Sequence, residues 1–203
     1  MTTNFEEKAI NRMLKAGISL QHIQMQKRNF FQDTEIENYY DKVENSENLS
    51  KNIPVQKIVA IKSNWTIEGT SVYDFFMGIA TEGRESEKIE ENLRSLEEHG
   101  LESQQAFYSG QVNLEGADCI KFNHYQEDDC YILQNDGIHR VVSAKMFNAP
   151  IMSGIVTTYK LNEEKKKLYD EYNSLKDILR LTDIKGFTLD LFQEKKNPKK
   201  KNE

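Results

Sequence analysis

The first thirty residues carry apolar positions at helical spacing on both sides of a glycine. Gly17 interrupts the pattern, and Ser19 can cap the second of two short helices. The apolar positions of the pair are Phe5, Ile10, Met13, Leu14, Leu20, Ile23 and Met25. Such a pair occurs in helix–turn–helix DNA-binding units and in helical arms that only pack on a domain. We favour the packing arm, because any helical hairpin with a glycine turn produces this pattern.

The chain then changes from polar to strongly apolar. Residues Glu35–Lys51 are rich in Asn and Glu and predict a linker or a loosely packed helix. After Pro54, the segment Val55–Ile61 is rich in β-branched residues and predicts a buried strand. The aromatic segment Val72–Met77 is compatible with either a helix or a strand.

The clearest helical pattern lies between Ser86 and His99. Ile89, Leu93 and Leu96 form its apolar stripe, and charged side chains cover the remaining faces, which we interpret as solvated. The next residue, Gly100, suits the end of a helix. Three short strands are predicted after it: Gln105–Tyr108, Cys119–Asn123 and Cys130–Gln134.

A polar segment, His124–Asp129, separates the last two of these strands and predicts a hairpin turn. His124, Asp128 and Asp129 have the side chains of metal ligands. No second cluster in the sequence completes a metal site, and we predict none there.

The most regular α/β pattern follows. A strand over Tyr131–Leu133 leads through the turn Asn135–Gly137 into an apolar helix that reaches Met146. Asn148–Pro150 ends the helix, and Ile151–Tyr159 predicts another strand. Strand, turn, helix and strand within one short unit indicate α/β organisation.

A long amphipathic segment, Leu161–Leu181, predicts a last helix. Its leucines and Tyr172 have the spacing of a two-helix seam, which suits either packing on the chain's own core or a homodimer. The lysine-rich end, residues 193–203, predicts a disordered basic tail. The sequence is therefore divided into a helical arm and linker, an α/β domain, a helical extension and the tail, at residues 1–50, 51–160, 161–192 and 193–203.

Composition narrows the classes of function. The 203 residues have a formal net charge of -6, which disfavours a general nucleic-acid coat protein. No apolar run could span a membrane, and the opening residues lack the pattern of a secretory signal, so we expect a cytoplasmic protein. Cys119 and Cys130 are too few for a disulfide framework or a four-ligand zinc site.

The string NDGIHR at residues 135–140 carries the candidate chemistry. Gly137 permits a sharp turn, and the helix that begins there offers free N–H groups and a positive dipole end to an anion. Arg140 presents a planar fork to phosphate oxygens, while His139 can donate or relay a proton. Asp136 can cap the helix, hold a metal-bound water or fix the arginine. An ordinary cap and a surface ion pair would use the same residues, so spacing alone leaves function and structure open.

The same string resembles the signature of the ParB/sulfiredoxin superfamily, in whose ParB-like, DGQHR-type and free serine kinase branches such a turn contacts nucleotide phosphates. The matching positions here are Asp136, Gly137, His139 and Arg140. After the motif, Ser143-Ala144-Lys145 and Ala149-Pro150-Ile151 are also similar to the residues that follow it in the family. The resemblance covers roughly residues 52–160 and implies a small mixed sheet with packed helices.

The resemblance also implies a nucleotide, with Mg²⁺ neutralising its phosphates and with His139 and Asp136 in catalytic roles. We expect ligand contacts from Gly137, Ile138, Arg140, Ser143, Trp65 and Thr66. The last two lie in the loop after the first strand, and a lone Trp more often packs in a core.

Three departures from the family limit these implications. Ile138 stands where sulfiredoxin has its catalytic Cys, so repair of sulfinic acid is not expected. The chain after residue 160 is too short for the DNA-binding unit of the partition ParB proteins. The acidic catalytic base of the free serine kinases has no assigned counterpart, although Glu68 and Glu82 are candidates.

Three functions compete at this stage. The first is binding of a phosphate-containing ligand, and specifically a nucleotide, with hydrolysis, phosphoryl transfer and sensing all open, and it is the one we expect. The second is a nucleic-acid-binding or nuclease-like protein, with a plasmid, phage or defence role implied only by the resemblance. The third is a non-enzymatic interaction protein that dimerises through the helix at 161–181.

Overall fold

A computed structural model describes residues 4–62, 67–79, 86–116, 119–179 and 188–196. Within these ranges, one mixed six-stranded sheet and seven α-helices form an α/β fold, which confirms the predicted class. The helices are α1 (Asn4–Lys15), α2 (Leu20–Gln26), α3 (Val72–Phe76), α4 (Ser86–Tyr108), α5 (Ile138–Met146), α6 (Glu163–Leu179) and α7 (Leu189–Lys196). The strands are β1 (Tyr40–Lys42), β2 (Leu49–Pro54), β3 (Ile58–Ile61), β4 (Lys121–Tyr125), β5 (Cys130–Leu133) and β6 (Ile151–Leu161).

The sheet has the order β1-β6-β4-β5-β3, and β2 also pairs with β6. Strands β4 and β6 are parallel, with Phe122 opposite Val156, whereas β4 and β5 form an antiparallel hairpin. Strand β3 is parallel to β5, with Ile61 opposite Leu133. The carboxyl ends of β3 and β5 therefore lie side by side, next to the start of α5.

Two hydrophobic cores occupy the two faces of the sheet. The larger core joins one face to α1–α5 and includes buried side chains such as Met13, Phe76, Leu93, Phe122, Leu133, Val142 and Val156. The smaller core consists of Tyr40, Ala60, Tyr125, Cys130 and Ile132, with Ile36 and Tyr39 packed against it. Alternation along β5 divides its side chains between the two, because neighbouring strand residues point to opposite faces.

The predicted N-terminal helical pair is present and packs on the domain. Gly17 turns the chain at φ 93°, and Ser19 caps α2 by accepting a hydrogen bond from the His22 amide at 3.1 Å. His22 is buried, and its Nε2 donates to the carbonyl of Lys145 in α5 at 2.8 Å. This contact supports the packing arm.

The expectation for Glu35–Lys51 is wrong. A 3-10 helix (Glu35–Tyr39) is followed by β1 and by the first residues of β2, and both strands pair antiparallel with β6. Asn and Glu are poor strand residues, but these strands lie beside a long partner that supplies their backbone hydrogen bonds. Tertiary pairing, which local composition does not encode, decides the structure here.

The strand predicted at Gln105–Tyr108 is also wrong, because these residues form the end of α4. Gly100, at φ 80° and ψ 169°, interrupts α4 as predicted, but the chain resumes the helix after it. Val55–Lys57 forms a 3-10 turn, so the predicted strand begins only at Ile58. The ambiguous segment Val72–Met77 is mostly helical, with Ser71 as the cap of α3.

The last long helix is present as α6 and contacts its own chain. Tyr169 packs on Tyr39, with ring centroids 5.2 Å apart, and Tyr172 packs on Phe192 of α7 at 5.8 Å. The predicted tail begins with the final turn of α7 at residues 193–196, and its remainder lies outside the described residues. No helix in the described ranges is long and apolar enough to cross a membrane.

Candidate functional site

Helix α5 begins immediately after a tight turn at the end of β5. Gly137 occupies the N-cap position at φ 140° and ψ 5°, a conformation that L side chains rarely adopt. A Cβ atom there would also lie 3.4 Å from Cγ2 of Ile120. No side chain of the described residues caps the helix at this position. The positive end of the α5 dipole is therefore not covered by a side chain of the N-cap residue.

The turn is held in place by the side chain of Asn135. Its Oδ1 accepts a hydrogen bond from the Lys121 amide, and its Nδ2 donates to the Cys119 carbonyl, both at 2.8 Å. The Gln134 amide donates to the Lys121 carbonyl at 2.8 Å and continues this ladder. These bonds join the end of β5 to the start of β4.

Arg140 lies in the first turn of α5 and is anchored to a buried amide. Its Nη1 donates to Oδ1 of Asn113 at 3.0 Å. Asn113 is fully buried, and its Nδ2 donates to the carbonyls of Tyr108 and Phe107 at 2.8 and 3.0 Å. The guanidinium is thereby fixed between the start of α5 and the end of α4.

The other residues of the motif differ in exposure. Asp136 is exposed on the turn, and His139 is half-buried, with its ring centroid 6.0 Å from that of Phe75 in α3. Ile138 is half-buried and packs at the margin of the larger core. Asp136, Gly137 and Arg140 therefore surround the helix start, while His139 also contributes to packing.

Ser143 is placed apart from this group. Its side chain is fully buried, and its Oγ accepts a hydrogen bond from Nδ2 of Asn92 in α4 at 2.8 Å. It therefore joins two helices in the interior, whereas Gly137 and Arg140 lie at the helix start.

Trp65, Thr66 and Glu82 lie outside the described residues. Lys62, the last described residue before Trp65 and Thr66, donates its amide hydrogen to the Leu133 carbonyl at 2.8 Å and so lies near the NDGIHR turn. Glu68 is within the described residues, and its side chain is exposed.

The described part of the chain contains no group of three or more His, Cys, Asp or Glu side chains that could hold a metal ion. In the β4–β5 turn, Asp129 pairs with Lys57, and the His124 ring stacks on Tyr131 at 4.4 Å. Burial lowers the pKa of His124, with a further contribution from the charge of Lys51.

Sequence analysis did not identify Asn113 and Asn135 as site residues. The role of Asn135 could have been predicted from the sequence, because an Asn before Asp-Gly favours side-chain hydrogen bonds within a turn. The role of Asn113 could not have been predicted, since its partner Arg140 is 27 residues away in the sequence.

Comparisons of this chain with protein-family models, with curated proteins and with solved structures found no match. The resemblance to the ParB/sulfiredoxin superfamily stays a prediction that rests on the residues of the NDGIHR motif.

Proposed function

We propose that the start of α5 binds a phosphate-containing ligand, and specifically a nucleotide. The observation that carries this proposal is the N-cap residue Gly137, which begins α5 at a positive φ and has no side chain of its own to cover the positive end of the helix dipole. Backbone N–H groups and the helix dipole together favour phosphate at such a position. Gly137 also lets the ligand approach the backbone closely, because it has no Cβ.

Arg140 supplies the charge of the site. A guanidinium has five N–H donors, and one of them is directed to Asn113. This bond fixes the orientation of the fork before a ligand arrives, which lowers the entropy lost on binding. Arg140 would then contact phosphate oxygens beside the helix N-terminus.

His139 and Asp136 would act at the outer side of the phosphates. Asp136 is exposed and would contact Mg²⁺ or a water bound to it, with the other ligands of the ion coming from the nucleotide. The ion would neutralise phosphate charge. His139 would donate a hydrogen bond to a phosphate oxygen or relay a proton. The proposal concerns binding of the nucleotide and makes no claim about its hydrolysis or phosphoryl transfer.

The test is a thermal-shift panel of nucleoside mono-, di- and triphosphates with Mg²⁺. A ligand that binds only the folded state raises the Tm by mass action, so at least one nucleotide should raise it in the wild type. Arg140→Ala should abolish that shift. Arg94→Ala removes the same charge from an exposed position of α4 and should keep it. The absence of any shift, or an equal shift in Arg140→Ala, contradicts the proposal.

No observation in the described residues favours nucleic acid over a nucleotide. Helix α2, the second of the N-terminal pair, contains no Lys or Arg, and its buried side chains face α5 and the core. Oligonucleotide binding and release of inorganic phosphate should be measured beside the panel. Oligonucleotide binding would indicate a nucleic-acid-binding or nuclease-like protein, and phosphate release would indicate a nucleotide hydrolase rather than a binding protein.

A further inference from the structure

A network of polar side chains lies at the end of β5, where the chain enters the NDGIHR turn. Its centre is the half-buried Glu37 of the 3-10 helix Glu35–Tyr39. The Oε1 atom of Glu37 accepts hydrogen bonds from the Tyr125 hydroxyl and from Nε2 of Gln134, both at 3.0 Å. The Oε2 atom accepts from Nζ of Lys62 at 2.7 Å. Donors from β4 and from the residues that follow β3 and β5 therefore converge on one carboxylate.

This carboxylate determines which way the amide of Gln134 points. A carboxylate accepts hydrogen bonds and donates none, so the Nε2 group of Gln134 has to face Glu37. The flipped amide would place Oε1 of Gln134 against an oxygen of Glu37, and two acceptors repel each other. The Gln134 amide oxygen is thus directed away from Glu37, and it accepts no hydrogen bond from the described residues.

Tyr125 sets the amide of Asn123 in a similar way. Burial raises the pKa of Tyr125 well above its ordinary value, so the phenol keeps its proton. That proton is donated to Glu37, and the phenol oxygen in turn accepts a hydrogen bond from Nδ2 of Asn123 at 3.3 Å. The Asn123 Oδ1 atom accepts no hydrogen bond from the described residues. Both amides are therefore held with their oxygens as open acceptors.

The two amides lie on one face of the sheet. Asn123 points to the side of the smaller core, because Tyr125, two residues later on β4, belongs to that core. Gln134 points to the same side, two residues after Ile132 of that core. Asn123 is opposite Ile132 in the β4–β5 ladder, so Asn123 and Gln134 are diagonal neighbours, about 7–8 Å apart. Both side chains are half-buried, so a ligand can reach their oxygens.

The amides are close to the phosphate site proposed at the start of α5. Gln134 and Gly137 are three residues apart, so their Cα atoms are separated by at most about 11 Å. The carboxyl ends of β3 and β5 also lie at this edge of the sheet, which is where open α/β sheets bind their ligands. A ligand with a phosphate at the start of α5 therefore has its other groups within reach of the amides.

We propose that Asn123 and Gln134 recognise an exocyclic amino group on the base of the bound nucleotide, which makes the ligand an adenine or cytosine nucleotide. This recognition rests on the nucleotide binding proposed above, because the phosphate must first be held at α5. An amino group carries two N–H donors and so matches two preset acceptors. An oxo group at the same position would place an acceptor against both amide oxygens. Glu37 is then a positioning residue, which acts through Gln134 and Tyr125.

The test compares nucleotides that differ at this group. Adenosine and inosine triphosphates exchange an amino for an oxo group on a purine, and CTP and UTP make the same exchange on a pyrimidine. Isothermal titration of the full chain with each, in the presence of Mg²⁺, measures four affinities. We expect the amino member of at least one pair to bind about tenfold more tightly than its oxo partner.

The outcomes separate this recognition from the phosphate site. Equal affinities within both pairs, or tighter binding of the oxo members, overturn the recognition while nucleotide binding at α5 stands. Binding of none of the four contradicts the proposed function, and the recognition with it. The comparison uses only the wild-type chain, so it decides the proposal even if a variant fails to fold.

Glu37→Gln tests the positioning role with little change in size. The new amide can donate as well as accept, so the Gln134 amide is free to flip, and the preference within the pair should fall below about threefold. The affinity for the oxo member should stay within about threefold, because Arg140 and the start of α5 are unchanged. Glu35→Gln makes the same charge change in the same 3-10 helix, on a carboxylate that accepts from Tyr169, and should keep the full preference.

Gln134→Met removes one of the two acceptors and leaves Glu37 in place. It should also reduce the preference for the amino member, since a thioether accepts hydrogen bonds only weakly. An unchanged preference in both Glu37→Gln and Gln134→Met overturns the proposal. An equal loss of preference in Glu35→Gln overturns the positioning role of Glu37, because that carboxylate contacts neither amide.

Discussion

Arg140 donates from Nη1 to Oδ1 of Asn113 at 3.0 Å and so joins a residue of the NDGIHR motif to a fully buried amide. Asn113 in turn donates to backbone carbonyls at the end of α4. One side chain therefore supports both the end of one helix and the arginine at the start of another. This arrangement makes Asn113 a positioning residue for the proposed phosphate site.

We predict that Asn113→Ala weakens nucleotide binding about as much as Arg140→Ala does, by roughly tenfold or more. The reason is that the arginine loses the buried Asn113 acceptor, which helps to orient it. The double variant should bind no more weakly than Arg140→Ala alone, because the two residues act as one unit. Isothermal titration with the nucleotide selected by the thermal-shift panel measures all three affinities.

Asn92→Ala is the control for this prediction. Asn92 also joins α4 to α5, but it does so through Ser143 in the interior. Both variants should lower the free energy of unfolding by about 1–3 kcal/mol, since each removes a hydrogen bond and leaves a buried partner group. Only Asn113→Ala should change affinity. Additive losses in the Asn113/Arg140 double variant contradict a positioning role.

The turn before α5 gives a second prediction, on Gly137. At φ 140° an alanine is strained, and its Cβ would contact Ile120 at 3.4 Å. We expect Gly137→Ala to lower the free energy of unfolding by about 1–3 kcal/mol and to abolish the nucleotide shift. Urea denaturation measures the first effect. Asp136→Ala changes an exposed neighbour and should alter stability by less than about 0.5 kcal/mol.

The sequence predicts the fold best where local patterns and tertiary structure agree. Helix α5 and strand β6 lie within a residue or two of their predicted bounds, because apolar periodicity, the glycine turn and Pro150 all favour the same boundaries. Strands β1 and β2 were missed because β6 stabilises them through long-range pairing. The helical end of α4 at Gln105–Tyr108 was missed because Gly100 was expected to end that helix, whereas the chain resumes it after the glycine.

In the candidate site, too, the features that depend on local residue type could be predicted, and those that depend on long-range contacts could not. The turn at Gly137 and the place of Arg140 at the start of α5 were predicted from residue type, because a positive-φ turn has a direct chemical signature, and their contact with a ligand stays a prediction. Ser143 was expected to contact the ligand, yet it is buried against α4. The direction of a helix side chain depends on which faces neighbouring helices cover, and this one sequence contained no information on the α4–α5 contact. The same reason explains why Asn113 was not predicted.

A third prediction concerns the close contact of β6 with β4. A Cβ atom at Gly154 would lie 2.7 Å from ring atoms of Phe122, which is itself almost completely buried. Gly154→Ala should therefore lower the free energy of unfolding by about 1–3 kcal/mol, because the ring has little room to move. Combining it with Phe122→Leu should cost less than the sum of the two single changes. Additive costs in urea denaturation contradict the steric explanation.

The last prediction concerns Lys145, which is 1% exposed in α5. Burial alone lowers the pKa of its amine from 10.5 to about 8. Below pH 8 the lysine is charged in both the folded and the unfolded chain, and the folded state carries the full desolvation cost. Between pH 8 and 10.5 the folded state loses the proton first, so this contribution to stability rises with pH.

Lys145→Met should remove that cost while keeping a similar side-chain volume. We expect it to raise the free energy of unfolding by about 1–3 kcal/mol at pH 7, since each unit of pKa difference corresponds to about 1.4 kcal/mol and relaxation reduces the total. The gain should shrink as the pH rises from 8 to 10.5. Urea denaturation of both chains across this range measures it, with the exposed Lys167→Met as the control that should show neither effect. A gain that is constant with pH would mean that packing rather than charge burial distinguishes the two side chains.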